Sequence, residues 1–101
     1  MNKEGIIEKM NQRTRQILIH SCIYYEFDRN IVPDYKYDQW GNELIELIKA
    51  NPDVLDRIEY GYMFKSYTEA SSGFNLNYRH PNILNKARHL IDLHDKKTVK
   101  K

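Results

Sequence analysis

Apolar residues recur at helical spacing along the first quarter of the chain. Between about Lys3 and Asp28 they form one stripe, and charged and amide side chains cover the opposite side. Thr14 and Ser21 occupy this stripe where a larger residue is missing. The pattern predicts a single long amphipathic helix, whose apolar stripe consists of Ile6, Ile7, Met10, Ile17, Leu18, Tyr24 and Tyr25.

A break at residues 32–34 separates this pattern from a second helix. Pro33 disfavours helical backbone at the residue before it, and Asp34 is a favourable N-cap. We expect the second helix to span about Tyr35–Ala50 and to fold back on the first as an antiparallel pair. Its apolar side consists of Tyr37, Trp40, Leu44, Leu47 and Ile48.

The second half of the chain predicts shorter elements and one more helix. Asn51 and Pro52 are suited to cap and start a short third helix, whose buried side would be Val54, Leu55 and Ile58. Apolar and polar residues alternate in FNLNY, after an aromatic-rich stretch, which is compatible with a small β-hairpin around residues 61–78. From Pro81 the helical spacing returns, and it ends near His94.

These elements predict one small, mainly α domain. The chain has 101 residues, 41% of them hydrophobic and 30% charged, which is typical of a globular protein with a single core. We expect a helical domain over residues 1–95, built from the antiparallel helical pair and the C-terminal helix. Residues 96–101 add a basic tail that we expect to be flexible.

Composition argues against several classes of protein. The net charge of +2 is too small to predict direct binding of nucleic acid. Cys22 has no second cysteine with which to form a disulfide. The N-terminal residues contain no apolar segment of signal-peptide length, and no apolar run approaches the roughly 20 residues that span a bilayer. We therefore expect a soluble, cytoplasmic protein without a membrane partner.

Candidate ligand-binding side chains are most concentrated in the segment YYEFDRNIVPDYKYD, residues 24–38. Asp34, Tyr37 and Asp38 share one face of the second helix's first turn, because they are three and four residues apart. Tyr24 and Tyr25 end the first helix, so an antiparallel pair brings their rings close to that face. The expected pocket has aromatic walls and carboxylate corners, which suit a flat ligand that is cationic or rich in hydroxyls.

The same residues also have a purely structural interpretation. Asp34 can serve only as an N-cap, Tyr37 can be a core residue beside Trp40, and Asp38 can be a solvated acid. Residue spacing by itself leaves both interpretations open, and the structural one is the more common outcome for such a pattern.

This segment also resembles a known domain family. The run YYEFDRNIVPDYKYDQW, followed by ELIELIKANPD, resembles the N-terminal Ia subdomain of bacterial NAD-dependent DNA ligases. That subdomain carries a tyrosine pair, an aspartate after a short connection, a D-x-x-Y-D turn, and an amphipathic helix that ends in an x-P-E/D segment. The resemblance covers about residues 14–53, and His20 lies where family members often have a histidine.

The resemblance implies a cofactor and a set of binding residues. In that family, residues at these positions hold the nicotinamide mononucleotide (NMN) half of NAD, and NMN becomes the leaving group when a lysine is adenylated. Oxidised nicotinamide is a flat cation beside a ribose, which aromatic faces and carboxylates suit. The contacts to NMN that the resemblance implies are Tyr24, Tyr25, Asp34, Tyr37 and Asp38.

The chain also departs from the ligases. None of its lysines is followed by x-D-G, the motif of the adenylated lysine, and it lacks the ligases' zinc-finger cysteines, helix-hairpin-helix modules and oligonucleotide-binding barrel. Residues 60–101 resemble no part of the Ia subdomain. We therefore expect no ligase activity from this chain alone, and an accessory role such as that of a small phage or prophage protein.

Two functional hypotheses from different classes follow. The first is a stand-alone Ia-like domain that binds NMN and acts in trans beside a nucleotidyltransferase partner. The second is a helical scaffold that binds another protein, for example a factor of DNA replication or repair, with tyrosines at the interface.

Other candidate residues favour structural roles. Cys22 has His20 two residues away on a different helical face, so we expect a buried thiol rather than a nucleophile. A basic C-terminal third is typical either of a nucleic-acid face or of a solvated helix, and its cations include Arg79, Lys86 and Arg88. No zinc spacing is completed by the three C-terminal histidines, His80, His89 and His94.

Overall fold

The computed structural model describes residues 2–65 and 76–98, which form three α-helices and two short 3-10 helices. The α-helices are α1 (Lys3–Tyr25), α2 (Asp34–Ala50) and α3 (Pro81–Thr98). The 3-10 helices, η1 (Val54–Arg57) and η2 (Gly61–Phe64), follow α2 in the chain. Neither described range contains a strand, so the prediction of a mainly α fold is confirmed.

Helix α1 is central, because both α2 and α3 pack against it. Three contacts show that α1 and α2 are antiparallel. Near the end of α1 the Ser21 and Tyr37 hydroxyls are 2.6 Å apart. In its middle Arg13 Nε lies 2.6 Å from a Glu43 carboxylate oxygen. At its start Lys3 Nζ lies 2.7 Å from the carboxylate of Asp53, just after α2.

The hydrophobic core is formed by all five helices. Each large apolar side chain in it contributes roughly 1.5–3 kcal/mol through burial. Tyr24 and Tyr25 were expected in the apolar stripe of α1, but they are 54% and 38% exposed. They lie at the end of the helix, where they line a cavity instead of the core. The most deeply buried apolar side chains include Met10, Ile17, Leu18, Cys22, Leu44, Val54, Phe64, Ile83 and Ala87.

The start of α2 differs by one residue from the prediction. Pro33, rather than Asp34, is the N-cap, because its extended backbone already offers the first carbonyl acceptor of the helix. The backbone N–H groups of Lys36 and Tyr37 donate to the Pro33 carbonyl at 3.0 and 3.3 Å. Asp34 is therefore the first helical residue, where the positive end of the helix dipole favours a carboxylate.

The predicted short third helix is η1, and its expected apolar residues Val54, Leu55 and Ile58 are buried. Asn51 does not cap it with its side chain. The Asn51 side-chain amide instead donates to the Leu47 carbonyl at 3.1 Å and so caps the end of α2.

The backbone at Gly61, the first residue of η2, lies very close to the backbone of Leu55 in η1. A Cβ atom added at Gly61 would lie 1.7 Å from the Leu55 carbonyl oxygen and 2.9 Å from an Ile58 side-chain carbon. A glycine is therefore required at this position for steric reasons.

Two further predictions concern the C-terminal half. The stretch that would begin a β-hairpin is helical at Gly61–Phe64, and residues 76–78, which would end it, form no strand. Residues 66–75 of the candidate hairpin lie outside the described residues. Helix α3 starts at Pro81 as expected and continues to Thr98, beyond the predicted end near His94. Residues 99–101 of the predicted tail also lie outside the described residues. Within the described parts of the chain, no helix has the length and apolar character to cross a membrane.

Candidate functional site

A cavity of about 210 Å³ lies where the end of α1, the connection after it and the start of α2 meet. Four of the five residues that the resemblance implies line this cavity: Tyr24, Tyr25, Asp34 and Tyr37. Asp38 is exposed and is not among the lining residues. The proximity of the α1 tyrosines to the first turn of α2, which the sequence predicted, is therefore present in the fold.

The connection between the helices turns sharply toward the cavity. Asp28 has a φ of 53°, a left-handed conformation that aspartate tolerates better than most residues. After this reversal the Arg29 N–H donates to the Ile23 carbonyl at 3.0 Å, which ties the connection to the last turn of α1. Arg29 and the following residues, Asn30, Ile31 and Val32, consequently line the cavity.

Aromatic rings form one wall of the cavity. The rings of Tyr24 and Tyr25 meet edge to face, with centroids 4.8 Å apart and planes at 84°. On its other side the Tyr25 ring stacks on Tyr78, at 5.7 Å and 27°. Tyr78 is buried, and the Arg79 guanidinium lies 5.5 Å from its ring centroid. Tyr25 is thus supported from behind by the segment before α3, whereas Tyr24 presents more of its ring to solvent.

A hydrogen bond between hydroxyls fixes the opposite wall. The Ser21 and Tyr37 oxygens lie 2.6 Å apart, and the Ser21 side chain is fully buried. Burial raises the pKa of the Tyr37 phenol above its usual value, so the hydroxyl stays protonated at neutral pH. The Tyr37 ring therefore has a fixed orientation that links α2 to α1.

His20 is an uncharged part of the cavity lining. Burial lowers the pKa of its imidazole to about 4, so the ring is neutral at pH 7. The imidazole packs 5.1 Å from the Trp40 ring, with planes tilted by 45°. His20 thus adds a polar, neutral group to the site rather than a positive charge.

Two lining residues of opposite charge define the electrostatics of the cavity. Asp34 supplies a carboxylate from the first turn of α2, and Arg29 supplies a guanidinium from the connection. Arg29 Nη2 lies 2.6 Å from Oδ1 of Asp95 on α3, and its Nη1 lies 3.4 Å from Oδ2. The Arg29 hydrogen bond lowers the pKa of the Asp95 carboxyl, which favours its charged form.

Sequence reasoning missed Arg29 as a site residue. Its position follows from the left-handed turn at Asp28, which helical periodicity does not report. The available signal was the short polar run Asp28–Asn30 between two predicted helices, because Asp and Asn are the non-glycine residues that most often adopt positive φ.

The other candidate residues do not form a second site. Burial and, to a smaller extent, the nearby Glu26 carboxylate raise the pKa of the Cys22 thiol to about 11, which makes it a poor nucleophile. His80 packs edge to face against Tyr60. Across residues 2–65 and 76–98, no group of three His, Cys, Asp or Glu side chains is arranged to hold a metal ion.

The side chains that line the cavity can bind a ligand in several ways. Aromatic faces can stack against a flat ring, the Asp34 carboxylate can accept hydrogen bonds from hydroxyl or amide groups, and the Arg29 guanidinium can donate to an anion.

Comparison with known proteins identifies a related domain family. Residues 3–57 match the family model of the DNA ligase-like, N-terminal NAD+-binding domain. A DNA ligase from Syntrophotalea carbinolica is 36% identical over 55 residues, which are 54% of this chain and 8% of the ligase. The chain therefore corresponds to a small part of that relative's length. No solved structure matches the chain.

The family match spans α1, α2 and η1, and thus every element that lines the cavity. The match covers more than half of the chain. This protein belongs to the family of the DNA ligase-like, N-terminal NAD+-binding domain.

Proposed function

We propose that this member of the NAD+-binding domain family binds the NMN half of NAD in the cavity between α1 and α2 and is not a catalyst by itself. The observation that carries the proposal is the convergence of Tyr24, Tyr25, Asp34 and Tyr37 on one cavity. Two of these residues end α1 and two lie at the start of α2. The antiparallel packing of the two helices brings them together.

The chemistry of the lining supports NMN as the ligand. The half-exposed Tyr24 ring offers a face for the nicotinamide cation, and Asp34 can accept hydrogen bonds from the ribose hydroxyls. Asp38 stands one turn after Asp34 on the same helix, outside the cavity lining, and contacts the ligand in this proposal only where NMN extends beyond the cavity. Bound NAD would supply an adenylyl group together with NMN as its leaving group.

The size of the cavity supports a partial binding site. Sites that enclose a drug-sized ligand typically have volumes of about 300–1,000 Å³. The cavity here, at about 210 Å³, covers less than a whole mononucleotide needs. We therefore expect weak binding by this chain alone, with the rest of the ligand surface covered by another domain.

That other domain is, in this proposal, a nucleotidyltransferase that acts in trans. Adenylation needs a lysine nucleophile, and none of the lysines in these 101 residues is in a K-x-D-G motif. The proposal thus gives this protein an accessory role in DNA ligation, and hence in replication or repair.

Calorimetric titration with NMN tests the proposal. We expect measurable binding by the parent protein and about tenfold weaker binding by Asp34→Asn, because one charge-assisted hydrogen bond is lost. Asp92→Asn is the matched control, since it makes the same charge change on an exposed residue of α3. Equal NMN affinity of the two variants would contradict the role of Asp34, and no binding by the parent would contradict the proposal itself.

A second candidate function is supported by the exposed tyrosines. Tyr35 is 72% exposed at the start of α2, close in the chain to Tyr37 of the cavity, and tyrosine is enriched at interface hot spots. A protein partner whose binding survives excess NMN and is lost in Tyr35→Ser would support a scaffold function. A partner that NMN displaces would support the nucleotide-binding function instead.

A further inference from the structure

We propose that Arg29 binds the phosphate group of the nicotinamide nucleotide and thereby distinguishes NMN from its phosphate-free nucleoside. This inference rests on the proposed function, since it assigns a part of the same ligand to a residue of the same cavity. It adds a residue that neither the helical pattern nor the family resemblance indicated.

The charges of the cavity lining complement those of NMN. Among the described residues of the lining, Arg29 is the one that is positively charged at neutral pH, because burial keeps His20 neutral. The lining also contains one carboxylate, that of Asp34. A cavity with one group of each sign suits a ligand that carries both signs, and NMN combines a nicotinamide cation with a phosphate anion.

The backbone of Arg29 is held in place, and its side chain is accessible to a ligand. Its backbone is fixed by the hydrogen bond of its N–H to the Ile23 carbonyl, at 3.0 Å. Its side chain is 40% exposed, so the guanidinium is accessible to a ligand from solvent. It lies on the connection between the helices, whereas Tyr24 and Asp34 belong to the helix ends. Ring, ribose and phosphate can therefore each meet a different part of the lining.

The Arg29 guanidinium forms an ion pair with the Asp95 carboxylate of α3. The carboxylate contacts Nη2 at 2.6 Å and Nη1 at 3.4 Å, which holds the otherwise flexible side chain beside the cavity. A guanidinium has five N–H donors, so a pair with one carboxylate leaves donors that a phosphate oxygen can use. Asp95 is thus a positioning residue that also competes with the phosphate for the same positive group.

Comparison of NMN with nicotinamide riboside tests the inference. The two ligands differ only in the phosphate, so the ratio of their dissociation constants isolates its contribution. We expect the parent protein to bind NMN about tenfold more tightly than the riboside. In Arg29→Gln this ratio should fall to about one, with the riboside affinity unchanged.

Two further variants separate charge from structure. Asp95→Asn removes the competing negative charge but keeps the guanidinium and an amide oxygen that can still accept from it, so it should retain or increase the preference for NMN. Arg29→Lys keeps the positive charge and should retain part of the preference. If Asp95→Asn loses the preference as Arg29→Gln does, the ion pair rather than the Arg29 charge is responsible and the inference is overturned.

The outcomes also distinguish this inference from the function on which it rests. Equal binding of both ligands by the parent protein, or an unchanged preference in Arg29→Gln, would overturn the role of Arg29 and leave the nicotinamide site standing. Binding of neither ligand by the parent would overturn both proposals.

Discussion

The part of the chain that matches the NAD+-binding domain family and the part that follows it contribute differently to the molecule. Residues 3–57 supply α1 and α2, and with them every residue that lines the cavity. Helix α3 lies outside the match and supplies the buried apolar residues Ile83, Ala87 and Ile91. The matched part thus supplies the lining of the cavity, and α3 supplies part of the core.

Residues that follow the family match nevertheless contact side chains that line the cavity. Tyr78 stacks on Tyr25, and Asp95 holds Arg29. Arg79 also lies 2.6 Å from the carboxylate of Glu26, the residue that caps α1. Residues outside the family match therefore contact, and help to orient, side chains that line the cavity.

The largest expected effect concerns stability and comes from α3. Ile83 is fully buried, so Ile83→Ala should lower the free energy of unfolding by about 2–5 kcal/mol through lost burial and a residual cavity. Leu93→Ala on the same helix is the control, because Leu93 is 43% exposed and should change stability by no more than about 0.5 kcal/mol. Urea denaturation measures both. Similar values for the two variants would show that α3 does not form part of the core.

The next effect concerns the hydrogen bond that joins α1 to α2 inside the matched part. Tyr37→Phe leaves the buried Ser21 hydroxyl without its phenol partner, which should cost about 1–3 kcal/mol of unfolding free energy. Ser21→Ala combined with Tyr37→Phe should cost less than the sum of the single changes, because neither polar group is then left unpaired. Strict additivity in a double-mutant cycle would contradict the interaction.

The smallest expected effect is the pH dependence caused by His20. Its pKa is about 4 in the folded protein and 6.5 in a solvated histidine, so its contribution is fully present above pH 6.5 and is lost as the pH falls toward 4. Discounted for partial exposure, the loss should be about 1–2 kcal/mol. Carboxylates also titrate in this range, so the difference between the parent and His20→Gln is the quantity to measure. His89→Gln makes the same substitution on an exposed side chain of α3 and is the control. A parent and a His20→Gln variant with the same pH profile would contradict the role of His20.

The features that follow from helical periodicity could be predicted from the sequence. The apolar spacing located all three helices and most of their buried residues, including Ile17 and Leu44. Turn chemistry located the break at Pro33 and, through Asn51, the end of α2. The N-cap of α2 was assigned one residue late, because the backbone carbonyl of Pro33 fulfils that role without a side-chain hydrogen bond.

The parts of the site that depend on long-range contacts could not be predicted. Tyr78 and Asp95 are far from Tyr25 and Arg29 in the chain, and neither contact follows from a local pattern. The Asp28 turn that brings Arg29 to the cavity depends on one residue with positive φ, for which the sequence offers only a weak preference. Helical spacing and the resemblance, in contrast, both indicated the same five residues, of which all but Asp38 line the cavity.

A titration of isotope-labelled protein with NMN, followed by backbone amide chemical shifts, tests most directly whether the cavity between α1 and α2 binds a nicotinamide nucleotide. We predict that the shifts concentrate at residues 20–25 and 29–38, which surround the cavity, and that Asp34→Asn reduces them at equal ligand concentration. Residues 83–93 of α3 serve as the internal reference, since they lie outside the cavity lining. No shifts at millimolar NMN, or shifts that concentrate on α3, would contradict a nicotinamide-nucleotide site between α1 and α2.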